Sequence, residues 1–129
     1  MTTIQQINGE FSIANGNGIQ VIGKKAADEE GLSPIELLEA SLGLCVAITI
    51  KRMLERDGIE VPEDELFVKV AAKKAIKGPS RIEQCVVNVR FPELIASDYR
   101  KKLLLSAERA CTIGNTLKES VVIRTQELI

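Results

Sequence analysis

The chain has 129 residues, 45% of them apolar, and its 17 basic and 18 acidic side chains leave a formal charge of −1. That is about one domain's length with apolar content for a single core. The balanced charge leaves no electrostatic footprint for DNA, RNA or an anionic membrane.

There is no histidine, which excludes general-base chemistry built on imidazole, every Cys-His and Ser-His arrangement included. An activated cysteine here must draw on arginine, lysine or the positive end of a helix. The first ten residues, MTTIQQINGE, hold neither a basic leader nor an apolar run, so no secretory signal is expected. The longest uncharged stretch on the candidate central helix, Ala40 to Ile50, is far below the ~18 to 20 residues of a membrane span. These features predict a soluble cytoplasmic protein with no membrane and no nucleic-acid partner. Three cysteines without a CxxC pair point away from a disulfide scaffold and from structural zinc.

In chain order, TTIQQI, EFSIA and IQVIG are short β-like runs divided by NG and NGNG, turn signals because asparagine and glycine accept positive φ. They predict an antiparallel meander over residues 2 to 23. KKAADEEGL, 24 to 32, reads as a loop. The first helix starts with Ser33 as N-cap, Pro34 at the first helical position and Glu36 completing a capping box, and should run to about Arg56 before Asp57-Gly58 closes it. LFVKVAAK (66 to 73) and IEQCVVNVRF (82 to 91), joined through KGPS, predict a second hairpin. A second helix follows from about Ala96 to Ala110, with Leu103, Leu104 and Ala107 on one side. CTIGNTLKES then reads as a break and a short helix, and VVIRTQEL as a final strand. The pattern argues an α+β fold in a single domain, 1–129.

Cys85 shares the period-two face of its strand with Val87, Val89 and Phe91 and reads as core packing. Cys45 lies mid-helix. At ~100° per residue, Leu38, Ser41, Leu42, Ile48, Thr49 and Arg52 fall within about 60° of it, while Ala40, Gly43 and Ala47 form a small-residue back face able to approach a sheet or another helix. That stripe is apolar with a polar thread, so Cys45 is either a buried small hydrophobe or a reactive thiol. Arg52 rises about 10 Å from it, which favours an Arg52 from a symmetry partner over its own. Cys111 precedes TIGNTL, where Thr112 is positioned to cap the short helix. A thiol at such a place either acquires thiolate character or is buried beneath the helix junction.

Two segments, SPIELLEASLGLCVAITIKRML and SAERACTIGNTLKESVVI, resemble the hallmark segments of the OsmC/Ohr family, the osmotically inducible protein C and organic hydroperoxide resistance proteins. The resemblance covers the whole domain in order and spacing. It implies antiparallel sheets packed on a long central helix, an interlocked homodimer, and two equivalent sites built from both chains. It also implies a thiol-dependent peroxidase of oxidative stress defence that reduces organic or hydrogen peroxides. In that cycle Cys45 maps to the peroxidatic cysteine and Cys111 to the resolving one. No cofactor is implied, but an external dithiol reductant is.

The sequence departs from the family at one pair. The better characterised branches hold the thiolate with an N-terminal arginine oriented by a glutamate directly after the helix-start proline. Here no arginine precedes Arg52, the residue after Pro34 is Ile35, and Glu36 falls on the far side of the helix from Cys45, where it serves the capping box. Lys24, Lys25 or a partner-chain Arg52 are the candidates for the missing cation. The alternative reading is a non-catalytic dimer of the same fold that binds a small ligand or senses redox state.

Overall fold

The computed structural model describes residues 1–26 and 28–128. Ala27, inside the loop expected over 24 to 32, and Ile129 lie outside the described residues. The chain divides into two compact units, Met1–Ala40 and Ser41–Ile129.

In the first unit, β1 (Thr2–Ile7), β2 (Glu10–Asn15) and β3 (Gln20–Gly23) form the expected antiparallel meander in that order. Ile13 pairs with Ile4 on one side and with Val21 on the other. The NGNG turn is held by the Asn15 side chain, whose Oδ1 accepts the N–H of Asn17 at 2.9 Å and of Ile19 at 3.1 Å, the local bonding that makes asparagine a turn residue. After β3 the chain returns alongside it: the Leu32 N–H donates to the Ile22 carbonyl and the Lys24 N–H to the Leu32 carbonyl, both at 2.9 Å. Gly31 makes this return possible. Its φ is +112°, and a Cβ there would collide with the Ile22 carbonyl, so only glycine fits.

The central helix α1 spans Pro34–Arg56. Its start is the reciprocal capping box read from the sequence: the Glu36 N–H donates to Ser33 Oγ at 3.1 Å, and the Ser33 N–H donates to Glu36 Oε1 at 3.0 Å. Its end is a Schellman motif, with the Ile59 N–H on the Leu54 carbonyl, the Gly58 N–H on the Glu55 carbonyl, and Gly58 at φ +69°.

The core belongs to the second unit. Leu42, Val46, Ile50, Met53 and Leu54 of α1 pack with Ile95, Leu103, Ala107 and Cys111. The hairpin of β4 (Phe67–Lys74) and β5 (Ile82–Arg90) lays Val68, Val70, Cys85, Val87 and Val89 against that cluster. A register shift between Lys73 and Lys74 changes the β5 alternation beyond Cys85, as a bulge does. Gly43 explains how closely α1 meets the hairpin, because a Cβ built there would lie 3.0 Å from Val70 Cγ2. The small-residue back face thus meets a sheet at this position.

Helix α2 (Ser97–Ala110) follows, then α3 (Thr112–Lys118). Leu103 and Ala107 are buried as expected, but Leu104 is 43% exposed. A 100° step carries Leu104 off a face as narrow as the one α2 presents. The final strand does not form. Residues 121 to 128 are exposed and without secondary structure; a strand's composition does not make a strand without a neighbour paired to it. The architecture is α+β, as the element order predicted. Among the described residues no helix is long and apolar enough to cross a membrane.

Candidate functional site

Two of the three cysteines meet, and the elements that carry them explain why. Cys45 sits half-buried near the middle of α1, packed against the core cluster that contains Cys111. Taking Cys45 as 0° on the wheel, the buried residues Leu42, Val46, Ile50, Met53 and Leu54 lie between about 60° and 180°. Cys45 therefore flanks the buried face rather than centring it, while Leu44 and Ile48 on its other side are exposed. A thiol at that edge is packed on one side and reachable from the other.

Cys111 closes α2 and opens α3. Its N–H donates to the Ala107 carbonyl at 3.0 Å, its side chain is 1% exposed, and its Sγ accepts the Gly114 N–H at 3.2 Å. The expected cap from Thr112 is replaced by one from Cys111: Thr112 already lies inside the helix, so the residue before it occupies the N-cap position. Gly114 matters for the same contact. A Cβ there would touch Cys111 Sγ at 3.4 Å and Leu42 Cδ1 at 3.7 Å, which places the first turn of α3 against α1 one turn before Cys45.

The electrostatics of the two sulfurs diverge. The Cys45 thiol is held below its ordinary range, chiefly because the Ile113 N–H faces its sulfur and also because the Cys111 thiol donates to it. The Thr112 N–H and the positive charge of Arg52 add to this, while burial opposes it. N–H groups at a helix start favour thiolate by offering hydrogen bonds and the positive end of aligned dipoles. Cys111 moves the other way: burial pushes its thiol up, and donation to Cys45 stabilises the protonated form, against the Gly114 N–H. The pair is a thiolate-prone sulfur beside a proton-retaining one.

Arg52 is exposed on α1 and acts on the Cys45 of its own chain through charge alone. The Thr49 hydroxyl, part of the polar thread read from the sequence, donates to the Cys45 carbonyl at 2.9 Å and so serves the helix backbone. Lys24 pairs with Glu36 at 3.3 Å. The hydrogen bonds from Ser33 above all, and Lys24 after them, hold the Glu36 carboxyl below its usual range. Cys85 packs into the core on β5, as its strand face indicated. Sequence reasoning missed Ile113, Thr112 and Gly114, whose contribution is main-chain N–H rather than side chain. The TIG triplet opening a helix directly after a cysteine was the one available signal. No group of three or more metal-ligating side chains occurs among the described residues.

Comparison with known proteins bears on this arrangement. A family model described as OsmC-like protein matches residues 27–126. No curated protein matches the chain. Among solved structures, an OsmC-like protein of Mycoplasma pneumoniae superposes with a TM-score of 0.75 at 14% identity, covering 92% of this chain and 87% of its own. The organic hydroperoxide resistance protein OhrB of Bacillus subtilis gives 0.64 at 18% identity, covering 92% and 89%. An organic hydroperoxide resistance protein OsmC of Legionella pneumophila gives 0.67 at 10%, also covering 92% and 89%. At these identities the structures share the fold, and the family follows from the match over residues 27–126: the chain belongs to the OsmC/Ohr family.

Proposed function

We propose that the protein is a thiol-dependent peroxidase that reduces organic or hydrogen peroxides, with Cys45 peroxidatic and Cys111 resolving. The observation that carries this reading is the packing of Cys45 against the buried cluster that holds Cys111 at the α2–α3 junction; the divergence of the two thiols, Cys45 lowered and Cys111 raised in pKa, agrees with it. The Cys45 thiolate attacks a peroxide oxygen, the O–O bond breaks, and the departing oxygen takes a proton and leaves as alcohol or water. Cys45 becomes a sulfenic acid. The Cys111 sulfur then displaces its hydroxyl as water, and an external dithiol returns the disulfide to two thiols. No cofactor enters this cycle.

The functional form is a homodimer with the α1 helices at the interface. The exposed apolar residues Leu44 and Ile48 beside Cys45, together with Ile4, Ile7 and Val21 of the meander, support a second copy covering them. A partner-chain Arg52 is the added cation in this arrangement. A cytoplasmic setting, where thiols stay reduced, suits the cycle.

The test is peroxide consumption with a dithiol donor by the wild type, Cys45→Ser and Cys111→Ser. The wild type turns over, Cys45→Ser is inactive, and Cys111→Ser stalls after the first oxidation. Equal and negligible rates for all three would end the enzymatic reading. A redox-sensing or ligand-binding dimer is the second reading, favoured by the commitment of Glu36 to the helix start and to Lys24. A Cys45 alkylation pKa at the free value of about 8.5 would support it.

A further inference from the structure

Helix α3 is held at its start by a sulfur. The Gly114 N–H donates to Cys111 Sγ at 3.2 Å; the helix's other polar ties are on the surface, the Asn115 side chain donating to the Arg109 carbonyl at 3.0 Å and Lys118 pairing with Glu108 at 3.7 Å. The helix has seven residues and none of them is buried, with half-buried Ile113 as its tie to the core. Helices much shorter than ~12 residues do not persist on propensity alone, and cysteine is not among the strong N-caps. Beyond Glu119 the chain is exposed and without secondary structure through residue 128.

We infer that α3 is a redox-read element: joining Cys111 to Cys45 withdraws the Cys111 sulfur from the Gly114 N–H and loosens Thr112–Lys118. The inference rests on the thiol-pair reading above. The balance is two thiols and one hydroperoxide giving one disulfide, one alcohol and one water. Both electrons come from the sulfurs, and the hydrogens of the two thiols end in the alcohol and the water. A disulfide brings its two sulfurs to about 2 Å, and a Cys111 sulfur drawn toward α1 lengthens its hydrogen bond from the Gly114 N–H, already at 3.2 Å. Gly114 leaves room for the change, because the space a Cβ would fill, 3.4 Å from Cys111 Sγ and 3.7 Å from Leu42 Cδ1, holds no side chain. A second interaction with sulfur weakens at the same time. The Ile113 and Thr112 N–H groups face the Cys45 sulfur, and that sulfur gives up its negative charge when it enters the disulfide. The state of the thiols is thereby written into the order of α3.

The experiment is amide hydrogen exchange on the full chain, reduced and after one equivalent of cumene hydroperoxide, with the bridge confirmed by a loss of two hydrogens in mass. Amides of Gly114–Lys118 exchange about fivefold faster in the bridged protein, the factor of a typical lost N-cap, while those in the middle of α2 are unchanged. Cys111→Ser, which keeps an oxygen cap and cannot bridge, shows slow exchange with and without oxidant. Cys111→Ala shows fast exchange in both. Unchanged α3 exchange in a bridged protein overturns the inference, as does slow exchange in Cys111→Ala. If the hydroperoxide forms no bridge, the peroxidase reading fails and α3 is judged on the bridge driven by diamide. Failure of diamide to form it overturns the inference too.

Discussion

Gly43 is a mid-helix glycine, which costs about 1 kcal/mol against alanine through backbone freedom, so Gly43→Ala would ordinarily stabilise. Here the added Cβ would lie 3.0 Å from Val70 Cγ2, with Val68 Cγ1 behind it at 3.8 Å. Val70 is β-branched and set in β4 against the core, so it yields poorly, and overpacking of this kind costs roughly 1 to 3 kcal/mol. The crowding outweighs the propensity gain, and Gly43→Ala is expected to lose about 1 kcal/mol net. Val70→Ala alone loses about 1.5 kcal/mol, from two methyl-sized groups at ~0.8 kcal/mol each. In that background the clash is gone and Gly43→Ala becomes neutral or stabilising by up to ~1 kcal/mol, so the double-mutant cycle shows a favourable coupling of roughly 1 to 2 kcal/mol. Urea unfolding at one fixed protein concentration measures all four proteins. A Gly43→Ala protein about 1 kcal/mol more stable than wild type, or the same effect in both backgrounds, would refute the reasoning. The site shares the consequence: Cys45 is two residues on, so lifting α1 off β4 also changes its distance from the α3 N–H groups.

Three further outcomes follow from the structure. Cys45 is lowered in the folded protein, so its ionisation adds stability above the unfolded thiol pKa of about 8.5 and loses it as pH falls through the folded value. Cys111, raised on folding, adds stability below the unfolded value and loses it as pH rises through its folded one. The melting-temperature difference between wild type and Cys45→Ser should therefore grow from acid to alkaline pH, and that for Cys111→Ser should shrink at high pH; parallel curves would contradict both shifts. Tyr99, the chain's single tyrosine, donates its hydroxyl to Asp57 and is raised above its ordinary pKa, by burial first and by that bond second. Ultraviolet titration should find it above 10, and Asp57→Asn should bring it part of the way back. Leu103 is fully buried while Leu104 is not, so Leu103→Ala loses about 3 kcal/mol and Leu104→Ala about 0.5 kcal/mol or less, read by urea unfolding.

What the sequence disclosed follows from which interactions are local. Ser33, Pro34 and Glu36 specify the start of α1 within four residues, and Gly58 specifies its end. The meander and the hairpin were legible because turn residues and period-two alternation sit next to one another in the chain. The errors fall where the deciding partner is distant. Leu104 looked equivalent to Leu103 until the width of the face presented by α2 was known. Residues 121 to 128 have a strand's composition, but composition does not supply a neighbour. The orientation of Cys45 was predicted as the centre of a stripe, whereas the position of β4 and α2 turned the buried face about 100° away from it. The groups that lower Cys45 are main-chain N–H groups some 67 residues later, and no residue type encodes a main-chain donor. The family resemblance placed Cys111 near Cys45; the divergence of their two pKa values came from the folded geometry.

The central claim is that Cys45 is the peroxide-reactive thiol and Cys111 its partner. Peptide mass mapping after one equivalent of an organic hydroperoxide tests it directly. One cross-linked species joining the peptides that carry Cys45 and Cys111 is expected, with Cys85 recovered as a free thiol. Cys45 recovered as a free thiol, or a bridge formed through Cys85, would contradict it.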